Sequence, residues 1–339
     1  MTDRVGQHLL SRRKVLVAGG VVGGLAAVGG GFWLWRRLFP PEGTLLYTYR
    51  GHFPDQVYAV TWSPADTRIA STSLDGTVQV WDATDGGHVF TYRGHVDQVY
   101  TVAWSPDGTR IASGGVDRTV QVWDAGDGGH ALTYRGHAST VFGVAWAPDG
   151  TRLASASVDR TVQVWDARSG GQTFTYRGHV DQVYTAAWSP DGTRLATGSK
   201  DTTVQIWDAN DGRTALTYRG HSNIVTGAAW SPDGTRLASS SVDGSMQVWK
   251  ASDGGHLFTY RGYSGLADPL YAVVWSPDGK RIADASGAAT VEVWPASGGG
   301  QPFTYCGHTD KVNTVAWSPD GNRIASGSDD GTVQVWQAT

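Results

Sequence analysis

The sequence predicts an all-β fold, a ring of seven four-stranded antiparallel sheets preceded by one apolar N-terminal helix. Three observations support this. A Gly-His pair or its variant recurs seven times at intervals of 42 to 45 residues, and a segment similar to VQVWD recurs in phase with it. The 339 residues also include 46 Gly and 16 Trp, which indicates many tight turns and one tryptophan position copied many times. A repeat of this period decides the fold, so it is interpreted before any local motif.

The N-terminal region contains a basic tail at residues 1–14 and an apolar segment at residues 15–37. Within it, residues 15–35 carry no charge. A helix of this length, at ~1.5 Å per residue, spans the ~30 Å hydrocarbon core of a bilayer. The larger positive charge lies before the segment. This predicts a single-pass membrane protein with a cytoplasmic N-terminus and the repeats outside.

The apolar segment has three interpretations: an uncleaved transmembrane anchor, a cleaved export signal, or a helix without a targeting role. The stretch SRRKVLV at residues 11–17 resembles a twin-arginine export signal, although Val15 stands where phenylalanine is more usual. The apolar run continues past any small-residue cleavage site through residues 32–35, which favours an anchor. Two prolines in the linker at residues 38–43 end any helix.

Each repeat contains four short apolar runs separated by turn signals. In the second repeat the runs are VYTVAW, RIASG, TVQVW and ALTYR, which are rich in β-branched and aromatic residues. Residues 106–108, 116–118 and 127–129 separate them with the residue types of tight turns. The runs are apolar on both faces, so each sheet needs a neighbour on both sides. A ring of sheets supplies those neighbours.

These features resemble the WD-repeat β-propeller family, and the resemblance covers residues 44–339. The near-identical copies behind an apolar segment resemble a bacterial, membrane-tethered type. The resemblance implies a seven-bladed β-propeller, within the usual range of four to eight blades. The last repeat ends after three strands, and residues 45–49 form a strand that lacks its own three. In the family such a strand joins the last blade as its outermost strand and closes the ring.

Six repeats share a His, a Ser or Thr, an Asp and a Trp at fixed positions. His95, Ser113 and Asp117 suggest a hydrolytic triad, but a catalytic site is normally a single constellation and this one is copied six times. In the family these residues form a buried structural tetrad, in which the imidazole bridges the Asp to the hydroxyl. The tetrads are His52, Ser71, Asp75, Trp81; His95, Ser113, Asp117, Trp123; His137, Ser155, Asp159, Trp165; His179, Thr197, Asp201, Trp207; His221, Ser239, Asp243, Trp249; and His308, Ser326, Asp330, Trp336.

We expect no catalytic site, no cofactor and no metal. The many Asp-Gly turns lack the clustered carboxylate loop of a calcium site. The net charge of −4, with no basic stripe in the sequence, argues against a nucleic-acid partner. Cys306 is the single cysteine, so no internal disulfide forms.

The family uses the face that carries the tetrad loops, called the top face, for recognition. One first-strand position points there, and five of its seven occupants are aromatic. Aromatic side chains with a polar tip are favoured at interfaces. The alternative is that Tyr was copied with the repeat and packs between blades. The predicted partner-binding residues on this face are Tyr58, Tyr100, Phe142, Tyr184, Lys200, Leu266, Pro269, Tyr271, Lys311 and Asn313.

The sixth repeat departs most from the others. Tyr263, Asp284 and Ala288 replace the tetrad His, Ser and Asp, and three residues are added before the first strand. It is expected that the three polar residues are lost together, because a buried Asp without hydrogen-bond partners would destabilise the fold. We expect Asp284 to turn to solvent or to bond Tyr263. The longer loop at residues 263–271 is either a site of its own or part of a degenerate blade.

Taken together, the sequence predicts a non-catalytic protein-interaction scaffold on the outer face of a cytoplasmic membrane. A protein or peptide partner would bind the top face. One alternative is an enzyme or small-ligand binder that uses the central channel. Another is a self-assembling structural protein. The fold alone does not decide among these functions.

Overall fold

A computed structural model of the chain describes residues 43–262 and 268–338. These residues form 28 β-strands in seven four-stranded antiparallel sheets, which confirms the all-β, seven-bladed prediction. The predicted N-terminal helix at residues 15–37, with the tail before it and most of the linker after it, lies outside the described residues. Within the two described ranges, no helix is long and apolar enough to cross a bilayer.

The first four blades follow the chain in order, and each begins with its innermost strand. Blade 1 contains β2 (Val57–Trp62), β3 (Arg68–Ser73), β4 (Val78–Asp82) and β5 (His88–Tyr92). Blade 2 contains β6 (Val99–Trp104), β7 (Arg110–Gly115), β8 (Val120–Asp124) and β9 (His130–Tyr134). Blade 3 contains β10 (Val141–Trp146), β11 (Arg152–Ser157), β12 (Val162–Asp166) and β13 (Gln172–Tyr176). Blade 4 contains β14 (Val183–Trp188), β15 (Arg194–Ser199), β16 (Val204–Asp208) and β17 (Thr214–Tyr218).

The last three blades include the one that joins the two ends of the repeat array. Blade 5 contains β18 (Val225–Trp230), β19 (Arg236–Ser241), β20 (Ser245–Lys250) and β21 (His256–Arg261). Blade 6 contains β22 (Leu270–Trp275), β23 (Arg281–Ser286), β24 (Val291–Pro295) and β25 (Phe303–Tyr305). Blade 7 contains β26 (Val312–Trp317), β27 (Arg323–Ser328), β28 (Val333–Gln337) and, as its outermost strand, β1 (Leu45–Tyr49).

The ring closes through blade 7. Strand β1 pairs antiparallel with β28, with Tyr49 opposite Val333. The backbone N–H of Gln337 donates to the carbonyl of Thr44 at 2.9 Å and extends the ladder beyond the strand. The innermost strands of successive blades contact one another, and β26 contacts β2. Strands from opposite ends of the array therefore complete one sheet, as a closed propeller requires.

Short polar residues shape the turns within each blade. In blade 2 the carboxylate of Asp107 accepts hydrogen bonds from the backbone N–H and the hydroxyl of Thr109, and Gly108 takes a positive φ of 69°. The next turn places Arg118 at a φ of 64°, where blades 1, 5 and 7 use glycine. A positive φ is easiest for glycine, so these positions explain part of the glycine content.

The core lies between blades rather than within them. In the cluster between blades 2 and 3, Tyr134 of the outermost strand of blade 2 stacks on Trp165 of blade 3, with ring centroids 4.6 Å apart. Val122 and Leu153, from the two blades, are fully buried in the same cluster. Each sheet thus covers both of its apolar faces with its neighbours.

A second contact joins the blades at the opposite end from the tetrads. The guanidinium of Arg110 lies 4.8 Å from the ring centroid of Trp146 in the next blade. It also donates to the carbonyl oxygen of Ala167 at 3.0 Å. Arginines at the same position repeat the ring contact around the propeller, namely Arg152, Arg194, Arg236, Arg281 and Arg323. These cation–π contacts each contribute about 0.5–1 kcal/mol when exposed and more when desolvated.

Candidate functional site

The alternation of strand directions gives the propeller two chemically different faces. The turns between second and third strands and the connections between blades lie at one end, with the tetrad Asp and His residues, and this is the top face. The Pro-Asp-Gly turns between first and second strands lie at the other end, the bottom face. Loops at the ends of a rigid sheet are the usual place for recognition.

The predicted tetrads are hydrogen-bonded in all six repeats that carry them. In blade 2, His95 Nδ1 lies 2.8 Å from Asp117 Oδ2, and His95 Nε2 lies 2.9 Å from Ser113 Oγ. The indole N–H of Trp123 donates to the same Oγ at 3.1 Å. The equivalent His–Asp distances in the other five repeats are 2.7 to 3.1 Å. Because Ser113 accepts from Trp123, its O–H is available to His95 Nε2, which leaves Nδ1–H to donate to Asp117.

The arrangement serves architecture rather than catalysis. Burial raises the pKa of Asp117, but hydrogen bonds from His95 and Thr119 outweigh burial and lower the pKa to about 2. Asp117 is therefore ionised at neutral pH and holds the buried imidazole. Both ring nitrogens of His95 are engaged within the tetrad. Neither nitrogen is left to act as a general base toward a substrate.

Two further residues belong to each network, and sequence reasoning missed them. Gln121 donates through Nε2 to the carbonyl of Gly94 at 3.2 Å, and its Oε1 accepts from the Tyr92 hydroxyl at 2.7 Å. A Cβ at Gly94 would collide with both Gln121 Oε1 and the Tyr92 hydroxyl, so the Gly of each Gly-His pair is required. The sequence does indicate a buried polar contact here, since a polar Gln stands between two apolar residues in VQVWD.

Blade 6 replaces the tetrad with buried carboxyl groups, and the prediction that Asp284 turns to solvent is wrong. Asp284 is 1% exposed, and its Oδ2 accepts the indole N–H of Trp294 at 2.9 Å in the place of the missing Ser. Its Oδ1 has no hydrogen-bond partner within the part of the chain that the structure describes. The side chain is held inside because both faces of β23 are buried between neighbouring blades. Tyr263, the other partner considered, lies outside the described residues.

A second acid lies directly across the sheet from Asp284. Glu292 occupies the position of the network Gln, pairs with Asp284 between β23 and β24, and is 3% exposed. Burial, with the nearby charge of Glu292, raises the pKa of Asp284 well above its ordinary value. Two carboxyl groups in one buried space cannot easily both ionise, so the neutral form of Asp284 is favoured.

The seven first-strand positions come together at the centre of the top face. They line one cavity of about 360 Å³, together with Ile224 and Val242. Four of them form a continuous row, here called the aromatic arc, whose successive ring centroids lie 4.6, 4.8 and 4.9 Å apart. The arc consists of Tyr58, Tyr100, Phe142 and Tyr184. These rings contact one another across blades and stay half-buried, so they pack and also face the cavity.

Glutamines hold the hydroxyl groups of the arc. The Tyr58, Tyr100 and Tyr184 hydroxyls each donate to the Oε1 atom of the Gln two residues earlier, at 2.9 to 3.0 Å. Burial raises the pKa of Tyr58 to about 12, so its phenol stays neutral. Within the described ranges no hydrogen bond uses the Nε2 atoms of these glutamines. The arc therefore has apolar ring faces beside amide donors.

The remaining predicted residues divide into two groups. Lys311 Nζ lies 4.8 Å from the Tyr271 ring centroid and 3.1 Å from Asp329 Oδ2, while Asn313 Nδ2 donates to Asp329 Oδ1 at 2.6 Å. This gives the cavity a polar side opposite the arc. Asn313 and Tyr271 line the cavity themselves, whereas Lys200, Lys311 and Pro269 do not. Leu266 lies outside the described residues. Among the described residues, no group of three or more His, Cys, Asp or Glu side chains is arranged to hold a metal ion.

Comparison with known families identifies the repeat. Six segments match the family described as WD domain, G-beta repeat, at residues 43–82, 86–124, 128–166, 170–208, 212–250 and 299–337. Each segment combines the outermost strand of one blade with three strands of the next. The stretch between residues 250 and 299, which contains the divergent sixth repeat, is not matched. No curated protein sequence matches the chain.

Proposed function

Because the chain belongs to the WD-repeat family, we propose that it is a non-catalytic scaffold that binds a protein or peptide segment on its top face. Propellers of this family commonly mediate protein interactions. The observation that supports the proposal most strongly is the aromatic arc at the central cavity. The tetrads provide a rigid ring that holds the arc in one geometry.

The chemistry of the arc suits an extended polypeptide. Neutral aromatic faces bury large apolar area with little loss of side-chain entropy, which makes them frequent centres of binding energy. The amide groups of Gln56, Gln98 and Gln182 can donate to carbonyl oxygens of a peptide backbone. Ile224 and Val242 add apolar surface to the same cavity. One apolar side chain of a partner would enter the cavity while its flanking backbone meets the glutamines.

Replacing Tyr100 and Tyr184 together by alanine is expected to reduce partner binding at least about tenfold, as the loss of central aromatic contacts does at other interfaces. The measurement is proximity labelling in cells from the full chain, followed by affinity measurement with the protein recovered. Phe53→Ala is the matched control, because Phe53 is 59% exposed and does not line the cavity. Thermal unfolding of each variant checks that the ring is intact.

Unchanged labelling in the double variant would show that the arc is not the binding surface. A second result would also count against a protein scaffold. It is the absence of any specifically labelled protein, combined with a small molecule that raises the unfolding temperature of the purified chain. That pair of results supports a small-ligand site in the central cavity instead.

We further propose that residues 15–35 anchor the propeller on the outer face of a cytoplasmic membrane. The support is the 21-residue uncharged run and the basic residues before it. The full-length chain is expected to stay in the membrane pellet after an alkaline carbonate wash, because a spanning helix does not dissociate. Release into the supernatant of a chain shortened at its N-terminus would support a cleaved export signal and contradict the anchor.

A further inference from the structure

Six arginines surround the top face, one at each of six blade boundaries. Each stands directly before a Gly-His pair or its variant and directly after a buried tyrosine of an outermost strand. All six are exposed, and within residues 43–262 and 268–338 no ion pair, side-chain hydrogen bond or ring contact engages their guanidinium groups. This set, here called the arginine rim, consists of Arg50, Arg93, Arg135, Arg177, Arg219 and Arg261.

The networks beneath the rim fix the positions of these arginines. At the boundary of blades 1 and 2, Tyr92 stacks on Trp123 with centroids 4.5 Å apart and donates to Gln121 at 2.7 Å. Gly94, on the other side of Arg93, is held through its carbonyl by the same glutamine at 3.2 Å. Both neighbours of Arg93 are thus tied to the rigid ring. The backbone under Arg93 is therefore preorganised, which lowers the entropy lost on binding. The same glutamine bond lies beside four other rim arginines, whereas Arg261 adjoins blade 6, where Glu292 replaces the glutamine.

The rim differs from the other periodic arginines of the chain. Arginines that begin the second strands, such as Arg110, stack on a tryptophan and bond a carbonyl of a neighbouring blade. The rim arginines have no such role, so the fold does not explain their charge. The rim is also interrupted, because Cys306 occupies the seventh equivalent position. Six boundaries of the top face therefore carry an exposed arginine, with acidic residues such as Asp97 nearby, and the boundary between blades 6 and 7 carries none.

A groove next to Arg93 shows which side chains a partner would contact at the rim. It has a volume of about 490 Å³ and is lined by Leu74, Asp75, Arg93, Val96, Asp97 and Gln98, among others. Val96 is 89% exposed, so an apolar contact lies next to the free guanidinium. Gln98 lines this groove and also accepts the hydroxyl of Tyr100, a member of the aromatic arc. The groove therefore lies next to the arc.

We propose that the segment bound at the aromatic arc belongs to an acidic partner protein, whose carboxylates pair with the arginine rim. This inference rests on the proposed scaffold function and names the chemistry of its partner. A planar guanidinium with paired N–H donors matches a carboxylate in a bidentate geometry. Acidic motifs are commonly recognised by arginine clusters of this kind.

Other anionic partners fit the surface less well. A flat anionic membrane reaches the rim but not the recessed arc of the central cavity. Exposed Asp97 lies near Arg93 in the groove. It repels a polymer with a continuous row of negative charges, but a peptide whose carboxylates are spaced apart can place one at Arg93 and none at Asp97. A protein segment with spaced acidic residues around an apolar residue fits all of these features.

The test is selection of random 12-residue peptides displayed on phage against the full-length chain in detergent. We expect the selected peptides to contain more Asp and Glu than the starting library. Synthetic copies should bind the double variant Arg93→Gln, Arg177→Gln at least about tenfold more weakly, with a smaller dependence on salt. The matched control is Arg168→Gln, Arg213→Gln, which removes the same charge from exposed turns at the bottom face and should bind like wild type.

The outcomes separate the two proposals. Peptides without an acidic excess that still lose affinity in the Tyr100→Ala, Tyr184→Ala variant overturn the acidic partner and keep the scaffold. Acidic peptides that bind both arginine variants equally well also overturn it. Stronger rim-dependent binding to phosphatidylserine vesicles than to phosphatidylcholine vesicles, unaffected by the tyrosine variant, assigns the rim to lipid and overturns it. No enrichment of any peptide counts against both proposals.

Discussion

Trp165→Ala is expected to lower the free energy of unfolding by about 3–5 kcal/mol, the usual cost of deleting a fully buried large aromatic side chain. Trp165 is fully buried between blades 2 and 3, where it stacks on Tyr134 and donates its indole N–H to Ser155 at 3.3 Å. Alanine removes both contacts and leaves a cavity in the inter-blade core. Chemical denaturation of the purified protein measures the loss.

The matched variant Trp165→Phe separates packing from hydrogen bonding. Phenylalanine keeps an aromatic ring against Tyr134 but cannot donate to Ser155, so we expect a loss of about 0.5–1.5 kcal/mol, the net worth of one hydrogen bond. If the alanine variant were no less stable than the phenylalanine variant, the inter-blade stack would not be a main source of stability. Near-native circular dichroism of the phenylalanine variant is the check that the blades remain assembled.

Raising the pH from about 5 to about 9 is expected to destabilise the wild-type propeller through blade 6. The folded state raises the pKa of Asp284 by burial and by the nearby charge of Glu292. A carboxyl group with a raised folded pKa binds its proton more tightly in the folded protein. Its contribution is therefore fully present below the unfolded pKa and is lost as the pH rises through the folded value.

The stability contributed by the tetrads depends on pH in the opposite direction. Burial raises the pKa of Asp117, but the His95 and Thr119 hydrogen bonds outweigh it and lower the pKa to about 2. The stabilisation from Asp117 is therefore present above its unfolded pKa and is lost as the pH falls toward 2. Strong acid and alkaline conditions thus weaken different blades, which makes the two effects separable by mutation.

Asp284→Asn removes the titrating group of blade 6 and keeps its size. At about pH 9 the variant is expected to be more stable than wild type by about 1–3 kcal/mol, the cost of a poorly satisfied buried polar group. Glu292→Gln should reduce the pH dependence, because it removes the adjacent charge. The control is Asp117→Asn, which should lower stability at neutral pH and flatten the acid limb, but leave the alkaline loss of stability unchanged. Parallel pH profiles of wild type and Asp284→Asn would contradict the role given to this pair.

Much of the fold could be predicted because the same sequence unit occurs seven times. Alternating apolar runs and Asp-Gly turns indicate four strands per unit, and strands that are apolar on both faces need neighbouring sheets. The tetrads were also recognisable, since recurrence of His, Ser or Thr, Asp and Trp at one spacing indicates a structural network. These are local features, and each copy supports the others.

Blade 6 could not be predicted in the same way, because no second copy shows what its substitutions do. Asp284 stands where the other repeats have Ser or Thr, and the cost of burying a lone acid predicted that it turns to solvent or bonds Tyr263. The structure instead buries it, with Trp294 as donor and Glu292 opposite. The alternation of the strand sets the direction of the side chain, and proton uptake reduces the cost of burial.

The sequence by itself determined the seven-bladed all-β ring and the hydrogen-bonding residues of six tetrads. Only the tertiary structure decided which side chains meet across blades. Tyr58 and Tyr100 become ring neighbours at 4.6 Å. Arg110 contacts the next blade, while the Arg93 guanidinium has no partner among the residues that the structure describes. Both arginines recur with the same period, so the pattern alone cannot distinguish them. Their difference arises from contacts between residues far apart in the chain, which exist only once the sheets pack into a ring.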